Sequence, residues 1–209
     1  RSLVGIVTSC LATIFACVLS ALHPNIPGPN QSWKSKRFDS FKLFAVTLLV
    51  PEWVLAWAVR QFLQARKYAK ELEAARHEAA NRNNTHTWTV MHGFHASMGG
   101  FHCYGGEEPR FPLQVEGGLG HSLLTLVESQ SLVPPTSGEL VDESKGNALS
   151  RATAITQTLS FVFQCLMRHS ENLVMTNLEI MTLTYIVMTC AMYIAWWYKP
   201  YNVRCPIRV

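Results

Sequence analysis

The chain has 209 residues, 48% of them apolar and only 15% charged, with a net charge of +4. About a quarter of the residues in a soluble domain are charged, so an ordinary soluble globule is excluded, and a mean hydropathy just above neutral points to several apolar blocks around one polar middle. Lys and Arg flank those blocks and no nucleic-acid-binding motif accompanies them, a distribution that suits anionic lipid headgroups rather than nucleic acid.

Residues 3–22 are the first block. Twenty uncharged residues exceed the ~7–15 of a signal-peptide core, and at about 1.5 Å each they match a hydrocarbon layer of about 30 Å, which predicts a first span. Ser9, Thr13, Ala16, Cys17 and Ser20 recur at helical spacing as a small-residue face for a neighbouring helix. The run "HPNIPGPNQSWKSKR" packs three prolines and a glycine into seven residues and predicts a short loop outside the bilayer.

A second span is predicted over residues 43–59, kinked at Pro51, with Glu52 near the bilayer midplane. Residues 60–82 read as a helix leaving the membrane, with Ala65, Ala69, Leu72, Ala75 and Ala79 on one weakly apolar side and the pairs Lys67–Glu71 and Glu78–Arg82 four apart. Alanine dominates that side, so a solvated stalk is expected rather than a coiled-coil seam. Residues 111–136 read either as a hairpin around "FPLQVEGG" or as a helix over 119–130, and Thr136 with Glu139 spells a capping box.

Residues 152–167 span only about 24 Å as a helix, and make a third crossing if Leu149 joins them and Arg151 snorkels. Thr153, Gln157, Ser160 and Gln164 form a polar stripe along it. Residues 180–198 predict a fourth span, closed by Lys199 and Pro200 and ending in an aromatic belt of Tyr193, Trp196, Trp197, Tyr198 and Tyr201. Glu179, Thr182, Thr189 and Tyr193 share a face, so spans three and four are expected to pair through their polar sides.

With four spans and a cytoplasmic N-terminus, ten basic residues near span ends fall on the cytoplasmic side and five opposite. The positive-inside rule then makes both termini and residues 60–148 cytoplasmic. The sequons at Asn30 and Asn83 fall on opposite sides, and only Asn30 is open to glycosylation.

"SCLATIFACVLSALHPNIP", "PEWVLAWAVRQ", "HGFHASMGGF", "ESKGNALSRA", "TNLEIMTLTY" and "WWYKPYNVRCP" occur in that order. Together they resemble a large group of uncharacterised multi-pass membrane proteins of filamentous fungi. The resemblance covers most of the chain, implies a multi-pass membrane fold and implies no activity. The group's counterpart of His95 is commonly aromatic, and its members often continue past the equivalent of Val209 with further apolar blocks.

The strongest chemical candidate is "WTVMHGFHASMGGFHCYGGEE", residues 88–108. His92 and His95 stand three apart, and His102, with Cys103 and Glu107 or Glu108, completes three or four ligands for zinc or iron. The alternative is an interfacial loop that turns at Gly99 and Gly100 and dips Phe94, Met98 and Phe101 into the headgroups. Glu52 and the stripe with Gln157 and Gln164 offer an intramembrane polar path, or plain helix adhesion. Cys10, Cys17, Cys165 and Cys190 lie inside apolar blocks and give no disulfide framework.

The expected protein is therefore an all-α helical membrane bundle with about four transmembrane helices and a cytoplasmic helical or irregular middle. Residues 1–59 hold the first helix pair, 60–148 the middle, 149–199 the second pair and 200–209 a tail. No cofactor is expected unless the histidines hold zinc or iron. The expected partners are the lipid bilayer and a homo-oligomer or larger membrane assembly. The expected role is scaffold, sensor or assembly subunit rather than enzyme, with a transporter or channel subunit and a metal-dependent membrane enzyme as alternatives.

Overall fold

A computed structural model describes residues 3–26, 28, 31–79, 87–105, 108–116, 122–129, 131–132, 148–200 and 207–208. The chain is mostly helical. In order come α1 (Leu3–Ala21), α2 (Trp33–Leu49), α3 (Pro51–Glu78), α4 (Val90–Ser97), β1 (Phe101–Gly105), β2 (Glu108–Pro112), α5 (Leu123–Glu128), α6 (Ala148–Ser170), α7 (Asn177–Ala195) and β3 (Ile207–Arg208). The Thr136 capping box, the asparagines of both sequons, the partner Arg82 of Glu78, Glu107 and Tyr201 lie outside the described residues.

The chain divides into two compact units. One comprises residues 1–22, 39–57 and 146–195, and the other 23–38, 58–145 and 196–209.

In the first unit α1 packs against both α6 and α7, which touch each other only sparingly. The expected direct pairing of the third and fourth spans is thus replaced by packing on a shared partner. The small-residue face of α1 supplies that contact: Cys10 and Cys17 cluster with Phe161 and Cys165 of α6 and Ile186 of α7. Hydroxyls on these helices bond back one turn, as Thr13 does to Ser9 O at 2.8 Å and Thr182 to Leu178 O at 2.8 Å, so they leave no donor unmet.

Among the described residues two helices, α1 and α7, are long and apolar enough to cross a membrane, or three if α2 and α3 count as one broken span. The kink expected at Pro51 is a full break, at which the chain bends by 115° between α2 and α3. Pro51 has no N–H and its ring clashes with the preceding turn, so the helix stops at Leu49 and restarts with Pro51 at its first position. The break frees the carbonyl of Leu48, and the hydroxyl of Tyr185 donates to it.

α6 runs for 23 residues, about 34 Å, and is more polar than α1 and α7. Asn172, at φ 55°, closes the turn after it. α7 then opens on a capping box: Thr176 N–H donates to Glu179 Oε2 at 2.9 Å, and Glu179 N–H donates to Thr176 Oγ1 at 3.3 Å.

The second unit has its own core, built from Leu72 and Ala75 of α3, Trp88, Ala96 of α4, Phe101 of β1, Leu113, Val115, and Leu123 and Val127 of α5. The alanine stripe of α3 is therefore a buried packing face and not the side of a solvated stalk. Small side chains there let α4 approach closely. The all-α expectation gains a small sheet of order β2-β1-β3, with β1 antiparallel to β2 and parallel to β3. Pro109 and Pro112 fit β2 because it is an edge strand. The expected hairpin lies earlier than "FPLQVEGG", and the loosely expected helix shortens to α5.

Candidate functional site

The turn around His92 and His95 is built by α3, α4 and β1. Thr89 precedes α4, and its backbone N–H donates to His92 Nδ1 at 3.1 Å, with its hydroxyl 2.8 Å from the same nitrogen. His92 thus occupies the third helical position as a cap acceptor, where Glu or Gln usually serves. Gly93 follows where a Cβ would lie 2.0 Å from the Ala65 carbonyl oxygen, so only glycine lets α4 cross α3 there. Gly99 turns the chain at φ +73°, and a Cβ on Gly100 would meet the His95 ring at 2.3 Å.

His95 is fully buried. Its Nε2 donates to the Gly100 carbonyl at 3.0 Å, and the ring meets Phe101 edge-on at 5.0 Å. Burial, helped by the nearby His92, pushes the His95 imidazole down to about 4, so the ring is neutral at physiological pH. With Nε2 carrying the proton, Nδ1 is a bare lone pair; Nδ1 of buried His102 likewise has no partner. Among the described residues no group of three His, Cys, Asp or Glu is arranged to hold a metal ion. Phe94, Met98 and Phe101 are buried in protein, which corrects their expected place in the headgroup layer.

A second polar centre was not legible as a site. Lys199, expected only to stop a span, is buried. Its ammonium donates to His23 O at 2.6 Å, Asn25 Oδ1 at 2.9 Å and Gln61 Oε1 at 3.1 Å. Trp196 donates to the same Gln61 oxygen at 2.9 Å, and its ring centroid lies 4.8 Å from the Lys199 nitrogen. Trp196 is thus interior and not part of the belt, whereas Trp197 and Tyr198 are exposed. Burial pushes Lys199 down to about 7, and the acceptors work against that shift, since three of them need the three hydrogens that only the ammonium carries. The signal available was a lysine between aromatic residues and a proline; its partners lie too far away in sequence to be read.

The other candidates separate. Glu52 sits exposed in the first turn of α3, just after the break at Pro51, where the helix dipole favours a carboxylate. Gln157 donates to Thr13 Oγ1 at 3.2 Å, while Gln164 has a buried Oε1 with no partner. Thr153 and Ser160 of the same stripe are exposed. Arg168 pairs with buried Glu179 at 2.9 Å, a bridge the sequence reading missed.

No curated protein and no solved structure matches the chain. A family model described as a family of unknown function, DUF8562, matches residues 1–209, and the chain belongs to that family.

Proposed function

We propose that this is a helical integral membrane protein serving as a scaffold or assembly subunit, with α1, α6 and α7 crossing the bilayer. The observation that carries the reading is inverted packing. α1 exposes Leu3, Val4, Val7, Leu11, Phe15 and Leu19 while burying Cys10, Thr13 and Cys17 beside Ile14 and Val18; α6 exposes Ile155, Leu159, Phe163 and Leu166 while burying Phe161. Water would penalise large side chains outside and small or polar ones within, whereas lipid favours that distribution. The polar residues that make α6 less apolar than α1 and α7 include Gln157, Gln164 and Arg168, which are at least partly buried.

Sidedness in this reading differs from four serial crossings. His23 follows α1 and Lys199 follows α7, and their hydrogen bond supports both helix ends emerging on one side. The sharp α2–α3 corner then dips and returns, leaving three crossings. Of 18 Lys and Arg residues only Arg1 and Arg168 fall to the far side, Lys42 being at the corner, which the positive-inside rule reads as a cytoplasmic position for segments 23–38, 58–145 and 196–209. The test is protease protection of N- and C-terminal epitopes on the full chain in sealed microsomes. A protected N-terminus, a digested C-terminus and no glycan on Asn30 are expected. Two digested epitopes with a glycan on Asn30 would restore four crossings, and release by alkaline carbonate would end the membrane reading.

The unpartnered oxygen of Gln164 favours a second reading, a transporter or channel subunit with a wet path beside α6. Aqueous thiol labelling of a variant retaining only Cys165 tests it: reaction supports the path, protection counts against it.

A further inference from the structure

The corner between α2 and α3 encloses a groove of about 300 Å³, lined by Lys42, Leu43, Val46, Trp53, Val54 and Trp57. Everything in that lining is apolar except the ammonium and the indole N–H groups, and the rim stays open: Leu49 is 78% and Trp53 76% exposed. A volume at the low end for small-molecule sites takes part of one hydrocarbon chain and not a whole amphiphile. Lys42 lies 3.8 Å from Asp39, with both side chains more than half exposed. That weak exposed pair yields readily to a stronger anion. α2 adds Lys34, Lys36 and Arg37 in its preceding turns, and Arg37 stacks on exposed Trp33 at 4.4 Å. Basic side chains interleaved with exposed Trp33, Phe38 and Phe41 on one helix are the composition of an interfacial segment on an anionic leaflet.

We propose that this groove is a binding site for an anionic membrane phospholipid, with part of one acyl chain held between Val46, Val54, Trp53 and Trp57 and the phosphate on Lys42. Charge selects the class: a lysine at the mouth of an apolar cleft favours an anionic headgroup over a zwitterionic one. Shape argues against a helix of a second copy, because the corner is short and closed by the 115° turn. The inference rests on the membrane placement proposed above.

The experiment is native mass spectrometry of the detergent-purified full chain, titrated with phosphatidylserine and phosphatidylcholine of identical chains. One retained phosphatidylserine, preferred several-fold, is expected. Lys42→Gln should remove the preference while leaving weak uptake of both lipids, Val46→Trp should remove retention by filling the groove, and Lys70→Gln should change nothing. Equal retention of the two lipids, unaltered retention in Val46→Trp, uptake of free fatty acid in place of phospholipid, or a second copy occupying the groove would each overturn the proposal. The detergent measurement is independent of carbonate extraction, so an embedded chain without lipid preference sinks this inference alone, and a preference in a carbonate-released chain sinks only the membrane placement.

Discussion

The ammonium of Lys199 donates to the backbone carbonyl of His23 across 176 residues of sequence, at 2.6 Å. Around that bond Asn25, Gln61 and Trp196 complete a closed polar knot inside the second unit, in which Gln61 accepts from both Lys199 and Trp196.

Replacing Lys199 by alanine removes the ammonium that the His23 carbonyl, Asn25 Oδ1 and Gln61 Oε1 share, leaves Asn25 and Gln61 with one donor each, from Gln61 and Trp196, and opens space against Trp196. The expected loss is about 3 kcal/mol of stability, since a buried polar group stripped of its partner costs about 1–3 kcal/mol. Arginine should not rescue it, because a planar guanidinium cannot meet three acceptors arranged around a single nitrogen. Thermal unfolding of the purified protein in detergent reads both variants.

His95 makes stability depend on acid. Its folded imidazole takes a proton only at about 4, whereas an unfolded histidine does so near 6.5. The unfolded chain therefore binds more protons between these values, and stability present above pH 6.5 is lost as pH falls towards 4, by about 3 kcal/mol from this group. Denaturant midpoints measured across that window should fall in the parent and flatten in His95→Phe.

Gly93→Ala places a methyl on the Ala65 carbonyl at a separation no packing tolerates. α4 must then move off α3, and a loss of about 2–3 kcal/mol with early proteolysis of the second unit is expected. Gly28→Ala meets nothing within 4 Å and serves as the neutral control.

Leu11 is exposed near the middle of α1. In water Leu11→Arg would change little, but facing lipid it costs about 3 kcal/mol of insertion free energy. Recovery of the variant in the carbonate-resistant membrane fraction should drop while a matched Leu11→Ile variant behaves as the parent.

Hydropathy and periodicity made α1, α6 and α7 legible with ends within a few residues, because a long apolar helix announces itself locally. Pro51 gave the position of the break but not its angle, which the proline permits and tertiary contacts such as Tyr185 on Leu48 complete. The alanine stripe of α3 was taken for a solvated side because alanine is only weakly apolar; what it signals is close approach, and glycine at 93 is the matching half. Spacing alone did not separate ligand from structural roles for His92 and His95, because a capping or core histidine and a coordinating one are the same residue type. The Lys199 knot could not be read, since its members come from three distant segments and none is unusual alone. Thr176 and Glu179 did spell a readable capping box, one helix away from the one noticed at Thr136.

The bridge between Arg168 and Glu179 joins the last turn of one helix to the first turn of the next, only 11 residues on. The two charges carried through the hydrocarbon during biogenesis in the proposed three-crossing arrangement are thus paired inside a single helical hairpin. In the three-crossing arrangement the translocating machinery passes a zwitterion at that turn and not an isolated cation, and it does so before any contact with α1 is required.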